Sequence, residues 1–310
     1  MLSFTLRRLV LAPVVLLALV SVTFFLVRLA PGSPFSAERA LPPEAEQALQ
    51  ASYGLDQPLG RQYLRFLGNL ARGDLGPSLK HRARTVNEII AAHLPVSIRL
   101  GVTAMVLALI LGGAAGMISA LRPRTAWDYV AMALAVLGLS LPVFVLGPLL
   151  QLVFARRLGW LPISGVGDIW HLVLPALALA LPFAARFARL LRAGLLDTLG
   201  ENFIRTARAK GLRETTVILR HALRGGCLPL VSYLGPALAA VTTGSLVVEK
   251  IFAVPGLGRE FIESALNRDY TLVMGTVIVY GGFIIIGNLL TDLAYAALDP
   301  RVRRRVADGG

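Results

Sequence analysis

Six stretches of the chain are free of charged residues: 9–27, 100–121, 129–155, 169–185, 225–248 and 270–291. Crossing a hydrocarbon core takes about 20 apolar helical residues at 1.5 Å rise each. Five runs reach or nearly reach that length. The fourth is shorter, but extends to Leu190 if Arg186 and Arg189 snorkel toward the headgroups. At this length in lipid only a helix satisfies its own backbone. The pattern therefore predicts an all-α, polytopic membrane bundle of six transmembrane helices. The first apolar run is too long for the core of a cleaved leader and lacks a small-x-small site, so an uncut first helix is expected.

Two connections exceed what a hairpin needs, 31–98 and 193–226. Three parts follow: an N-terminal helix in 1–30, a small extracytoplasmic subdomain in 31–98, and a five-helix core in 99–310 that contains the long loop. In the first connection, Pro42-Pro43 before Glu44 and Glu46 marks a helix start. Tyr53-Gly54-Leu55-Asp56-Gln57-Pro58 reads as a turn, and Arg61–Leu70 as an amphipathic helix with Tyr63, Phe66, Leu67 and Leu70 on one face. This piece is either a cap on helix ends or a docking surface or lid. In the second connection, a helix carrying Phe203, Ala207 and Lys210 on one stripe should stop at Gly211. A second helix from about Glu214 to Leu223 should end at Gly225-Gly226. The product is a basic elbow, equally suited to another protein or to anionic headgroups.

Charge sets the orientation. With the N-terminus inside, the inner segments hold 17 Lys/Arg and the two short outer loops hold five, while the long 31–98 segment is exempt from the rule. Both termini are expected in the cytoplasm. The chain is 55% apolar and only 16% charged, against about a quarter charged in soluble domains. Its net charge of +13 thus records loop sidedness rather than nucleic-acid binding. The single cysteine, Cys227, forms no internal disulfide.

Catalytic and cofactor signatures are missing from the sequence. Lys80, Lys210 and Lys250 are the only lysines and none follows a glycine, which excludes a phosphate loop. The four histidines are scattered, so no metal set is expected. The cores of the spans carry few ionisable groups, which argues against an ion-coupled secondary transporter. Thr242, Thr243 and Ser245 in span five and Asn288 in span six serve either as interhelical hydrogen-bonding groups or as the lining of a polar passage. Gly112-x-x-x-Gly116 permits close helix packing. The picture is a passage without an engine of its own.

At this point the residues resemble a known family. Arg205-Thr206-Ala207-Arg208-Ala209-Lys210-Gly211-Leu212 resembles the cytoplasmic signature of permease subunits of ATP-binding-cassette importers, in the form used by the peptide-importer branch. Arg213 stands where that branch often has a serine. Further segments resemble the first permease subunit of that branch: Ala30-Pro31-Gly32-Ser33-Pro34, Tyr53–Pro58, Gly73-Asp74-Leu75-Gly76-x-Ser78, Leu94-Pro95, Val248-Glu249-Lys250-Ile251-Phe252 through Gly258, and Leu298-Asp299-Pro300-Arg301.

The resemblance implies a type I importer fold in a bacterial inner membrane. It implies a non-catalytic subunit that forms half of a path for dipeptides or oligopeptides, with nickel and glutathione importers as near relatives. The implied partners are a second homologous permease, two cytoplasmic ATPases that bind the ATP and magnesium, an extracytoplasmic substrate-binding protein, and the bilayer. Residues 205–212 would form the coupling helix seated on an ATPase, and the chain itself would bind no cofactor.

Overall fold

In a computed structural model the described residues are 2–30, 35, 42–81, 83–165 and 167–298. The Pro31–Pro34 motif and the Asp299–Arg301 motif lie outside them, as does the basic tail. The described residues are overwhelmingly helical and form no strand.

The elements are α1 (Leu2–Leu29), α2 (Pro43–Ser52), α3 (Leu59–Ala71), α4 (Val86–Leu121), α5 (Ala126–Ser140), α6 (Val143–Leu150), α7 (Trp170–Leu199), α8 (Asn202–Ala209), α9 (Glu214–Thr216), α10 (Leu223–Gly226), α11 (Leu228–Ile251), α12 (Leu257–Leu266) and α13 (Tyr270–Leu298). A π-helical turn, Gln151–Arg157, continues α6, and a second, Val217–Ala222, joins α9 to α10.

Among the described residues five helices are long and apolar enough to cross a membrane, or six if α5 and α6 with its π turn count as one span. That third run is not the single rod that its composition predicts. It bends by 108° between Ser140 and Val143. The cause is local: Leu141, ahead of Pro142, takes the extended conformation at φ −85° and ψ 118°. A residue before proline is driven out of the helical region by the proline ring.

Two compact units divide the chain. One comprises Ile98–Val254, the chain from Phe283 onward and the first turns of α1. The other comprises Leu11–Ser97 and Pro255–Gly282.

The first unit is centred on α7, and it packs by closeness. A side chain at Gly112 would meet the Ala184 carbonyl oxygen, and one at Gly116 would come within 2.6 Å of the Ala188 oxygen. Ala135 of α5 buries against Ala185 and Ala188. On the outside of this unit Val102, Leu134 and Leu137 are exposed, with Trp127, Tyr129, Trp160 and Trp170 exposed near the ends of their helices. An apolar girdle edged by tryptophan and tyrosine is how a helical bundle meets lipid and its interfaces.

The second unit packs by bulk. Phe24 and Val20 of α1 bury with Met274 against Tyr63, Phe66 and Leu70 of α3. Those α3 side chains are the ones that the periodicity assigns to one face. A second cluster joins Val86, Ile89 and Ile90 to Leu257 and Leu272. Asp269, almost fully buried, caps α13 by accepting from the Leu272 amide at 3.2 Å. It also accepts from the Leu79 amide at 3.1 Å and from the Ser78 hydroxyl. Thr85 and Glu88 start α4 with a reciprocal capping box, at 3.2 Å and 3.0 Å.

Candidate functional site

The elbow is built from the end of α7 through α10. After Leu199 the chain turns at Gly200, and Glu201 takes an extended conformation that starts α8. At the other end Lys210 closes the helix and Gly211 lies at φ +75°. The Gly211 amide donates to the Arg208 carbonyl at 2.9 Å, and the Leu212 amide donates to the Ala207 carbonyl at 3.4 Å. These two bonds are the Schellman pattern, which a left-handed residue makes possible and which glycine enters without steric cost.

A bidentate ion pair spans this turn. Arg208 donates through Nη2 to Glu214 Oε1 at 2.6 Å and through Nε to Oε2 at 3.1 Å. The bond from Arg208 holds the Glu214 carboxyl below its usual range, and the Arg208 guanidinium shifts upward in return. Both groups are exposed, so the effect on stability is screened and small.

The inward face of α8 is Ile204 and Ala207 rather than the stripe of Phe203, Ala207 and Lys210. Ala207 is only 6% exposed, whereas Phe203 is 49% exposed. Ile204 stands about 100° round the helix from Phe203, and the buried side of α8 is centred between Ile204 and Ala207. Ile204 pairs with Ala207 at i, i+3 and faces the layer that buries Val217 and Ala222. Arg205, Thr206, Arg208, Ala209, Lys210, Gly211 and Leu212 are all on the open side. Phe203, Leu212 and Leu219 are also exposed, as are the basic Arg205, Lys210, Arg213 and Arg220 of the same segment. The sequence pattern singles out Phe203 and Leu212 but passes over Leu219.

Gly225 and Gly226 do not break the second arm of the elbow as expected. The helix runs through both, and the chain turns only at Cys227. These glycines serve packing. A side chain at Gly226 would come within 2.7 Å of Leu195 on α7, and the Gly226 carbonyl fills the space beside Gly194.

The passage candidates are distributed differently. Thr242 donates to the Ala239 carbonyl at 2.6 Å, and Ser245, buried, donates to the Thr242 carbonyl at 2.8 Å. Both hydroxyls therefore serve their own helix. The Thr243 side chain lies outside the described residues. Asn288 is exposed, and its amide oxygen lies against Gly235, where a side chain would come within 2.9 Å. Gly235 is seven residues before Thr242, about 10 Å along the axis of α11. The structure thus does not bring Asn288 to Thr242 and Ser245. Among the described residues no three His, Cys, Asp or Glu side chains converge on a common point.

An all-helical bundle with an apolar girdle and a basic elbow defines the class: a polytopic membrane protein. Comparison with known proteins makes this specific. Residues 112–304 match the family described as "Binding-protein-dependent transport system inner membrane component". Residues 1–101 match its N-terminal counterpart, "Binding-prot-dependent transport system membrane comp, N-term". The chain is 47% identical over 305 residues to the oligopeptide transport system permease protein OppB of Escherichia coli strain K12, covering 98% of this chain and 100% of that protein. It is 46% identical to the Haemophilus influenzae protein of the same name, with the same coverage. It is 44% identical over 288 residues to the dipeptide transport system permease protein DppB of Bacillus subtilis strain 168, covering 93% and 94%. A solved structure of the MetNI methionine ABC transporter in inward-facing form shares the fold, with TM-score 0.56 at 16% identity, covering 68% of this chain and 96% of that one.

The chain belongs to the family of binding-protein-dependent transport system inner membrane components, in its oligopeptide and dipeptide permease branch. It is a permease subunit of an ATP-binding-cassette importer and a non-catalytic, multi-pass membrane component. The family implies a second permease, an ATPase and a substrate-binding protein as partners, and the inner membrane as location.

Proposed function

We propose that this subunit forms half of the translocation path of an importer for dipeptides and oligopeptides, and that its elbow receives the stroke of one of two cytoplasmic ATPases. Both termini and the 193–226 loop then lie in the cytoplasm, and 31–98 forms an extracytoplasmic subdomain that meets the substrate-binding protein. ATP and magnesium are held by the ATPases, and a second homologous permease supplies the other half of the path.

The observation that carries this reading is the construction of the elbow. Force passes only through a stiff contact, and Arg205 to Leu212 are stiffened on both sides. Ile204 and Ala207 are buried beneath, Gly211 closes the helix with two backbone bonds, and Arg208 is clipped to Glu214. The elbow exposes large apolar side chains, Phe203, Leu212 and Leu219, together with basic ones, a composition suited to a protein contact. Closure of the ATPases then shifts the bundle between two arrangements.

The test is made on the complete importer. Leu212→Asp should leave membrane accumulation unchanged, abolish co-purification of the ATPase and reduce tripeptide uptake to background. Normal ATPase retention together with normal uptake would sink the coupling role. Uptake should also survive an uncoupler and fail on ATP depletion, and the reverse would favour an ion-coupled carrier. Uptake of nickel or glutathione in place of peptide would move the chain to a neighbouring branch. Of the passage candidates Thr242, Thr243, Ser245 and Asn288, Asn288 is exposed, whereas Thr242 and Ser245 bond to their own helix. Asn288→Leu should change uptake rate or peptide preference, and an unchanged profile would remove it.

A further inference from the structure

We propose that a cleft between α5 and α7 is a binding site for one anionic phospholipid of the cytoplasmic leaflet. The cleft has a volume of about 600 Å³ and is walled by Met132, Leu139 and Leu190 together with Arg186, Arg189 and Arg192.

The depth of the cleft follows from its own contacts. Arg192 grips the buried Asp128 with one edge of its guanidinium, Nε donating to Oδ1 and Nη2 to Oδ2, each at 2.8 Å. Asp128 sits in the first turn of α5, beside the exposed Trp127. Ala135 packs on Ala185 and Ala188, so the two helices run antiparallel in this register. Arg189 therefore stands about one turn, ~4.5 Å, from the Asp128 level, and Arg186 about two turns, ~9 Å. A second cleft, lined by Ile118, Leu121, Arg122 and Trp127, lies beside the same end of α5. An exposed tryptophan with arginines at one level marks the boundary between headgroup and hydrocarbon. Arg186 and Arg189 lie just inside it.

The three arginines have different partners. Arg192 is neutralised by Asp128. Arg186 donates to the Tyr233 hydroxyl at 2.7 Å and lies 5.2 Å from the centre of that ring, which fixes its direction without cancelling its charge. Neither Arg186 nor Arg189 has an ion pair among the described residues. Two unneutralised guanidinium groups one turn apart, opening on an apolar wall, match a phosphate diester with an acyl chain beneath it. A net negative headgroup is favoured because a zwitterionic one brings its own cation into the cleft. The remaining surface of α5, with Val130, Leu134 and Leu137 exposed, gives that chain a hydrocarbon setting.

This site rests on the orientation given under Proposed function, so the experiment reads the two separately. The complete importer is stripped of lipid and titrated with phosphatidylglycerol or phosphatidylcholine, and bound lipid is counted by native mass spectrometry. Phosphatidylglycerol should bind the unaltered complex in preference. R186Q/R189Q should weaken it by about thirtyfold, at roughly fivefold for each charge near the surface. Arg186→Lys with Arg189→Lys should retain most of the binding, which separates loss of charge from misfolding. Equal binding by the glutamine variant would overturn the site. So would displacement of the lipid by added peptide, which would make the cleft part of the substrate path. Sidedness is read with Ala193→Cys in a Cys227→Ser background. Labelling by an impermeant maleimide from the cytoplasmic face is expected. Labelling from the external face would overturn both the leaflet assignment and the orientation, whatever the lipid counts show.

Discussion

The two compact units solve the same problem, holding helices together, with different chemistry. Around α7 the contacts are backbone against backbone: Gly112 and Gly116 of α4 on Ala184 and Ala188, and Gly226 on Gly194. In the other unit the contacts are aromatic and aliphatic bulk, Phe24 on Tyr63 and Phe66, with Asp269 as a polar hub. The difference follows from which elements meet: two candidate spans in the first unit, and spans against the short amphipathic α3 in the second. In lipid, hydrophobic burial gives helices no reason to prefer one another over acyl chains, and close approach of small residues is what remains. The apolar face of α3, a helix outside the candidate spans, would otherwise meet water, and large apolar side chains gain about 25 cal/mol for each Å² so buried.

Substitution by size separates the two schemes most strongly. Gly116→Leu in α4 must push α7 away from a carbonyl oxygen that does not move alone, and the variant should fail to accumulate as a folded monodisperse subunit. Size-exclusion of a fluorescent fusion reads this directly, and a normal peak would break the close-packing account. The opposite change belongs to the other unit. Phe24→Ala should cost about 3–5 kcal/mol and expose the α1–α3 contact to proteolysis. If Phe24→Ala were silent, bulk would not be what holds that unit.

Much of this architecture was open to inspection in the amino-acid order, because apolar runs and glycine spacing are local. The ends of the runs, the α3 face and the stop at Gly211 are set by neighbours within a few residues. What escaped depends on distant partners. Gly225 and Gly226 read as a break because their local conformational freedom is visible, while Leu195 and Gly194 opposite them are not. Spacing groups Phe203 with Ala207, but which side of α8 is buried depends on the Val217 and Ala222 layer, which lies beyond the local pattern. Asp269 carried no signal, since the Ser78 and Leu79 groups that it binds are 191 and 190 positions away. The Pro142 break lay in plain view, but nothing local said whether the chain would continue or fold back.

Buried polar groups make a finer comparison. Asp269 is buried and held by neutral donors. Asp269→Asn keeps the shape but turns an amide donor toward at least one of those groups. A loss of about 1–3 kcal/mol is expected, seen as a lower midpoint for thermal aggregation of the solubilised complex. An unchanged midpoint would show that the hub is incidental and that bulk alone holds its unit.

The smallest effect belongs to the Arg208–Glu214 clip, where the same kind of bond is made in the open. The Glu214 carboxyl is held below its usual range by Arg208. Its contribution is therefore complete above the unfolded carboxylate value, near 4.3, and fades as pH falls through the lower folded value. Screening keeps that contribution slight, so global stability is the wrong readout. Local opening is the right one. Amide exchange at Gly211 and Leu212, corrected for the intrinsic pH dependence, should lose protection on acidification, whereas Glu214→Gln should show the acid-like level at every pH. If the glutamine variant matches the unaltered chain at neutral pH, the Schellman bonds alone stiffen the elbow. The clip would then be a surface contact without mechanical consequence, and the contrast between buried and exposed polar groups would be complete.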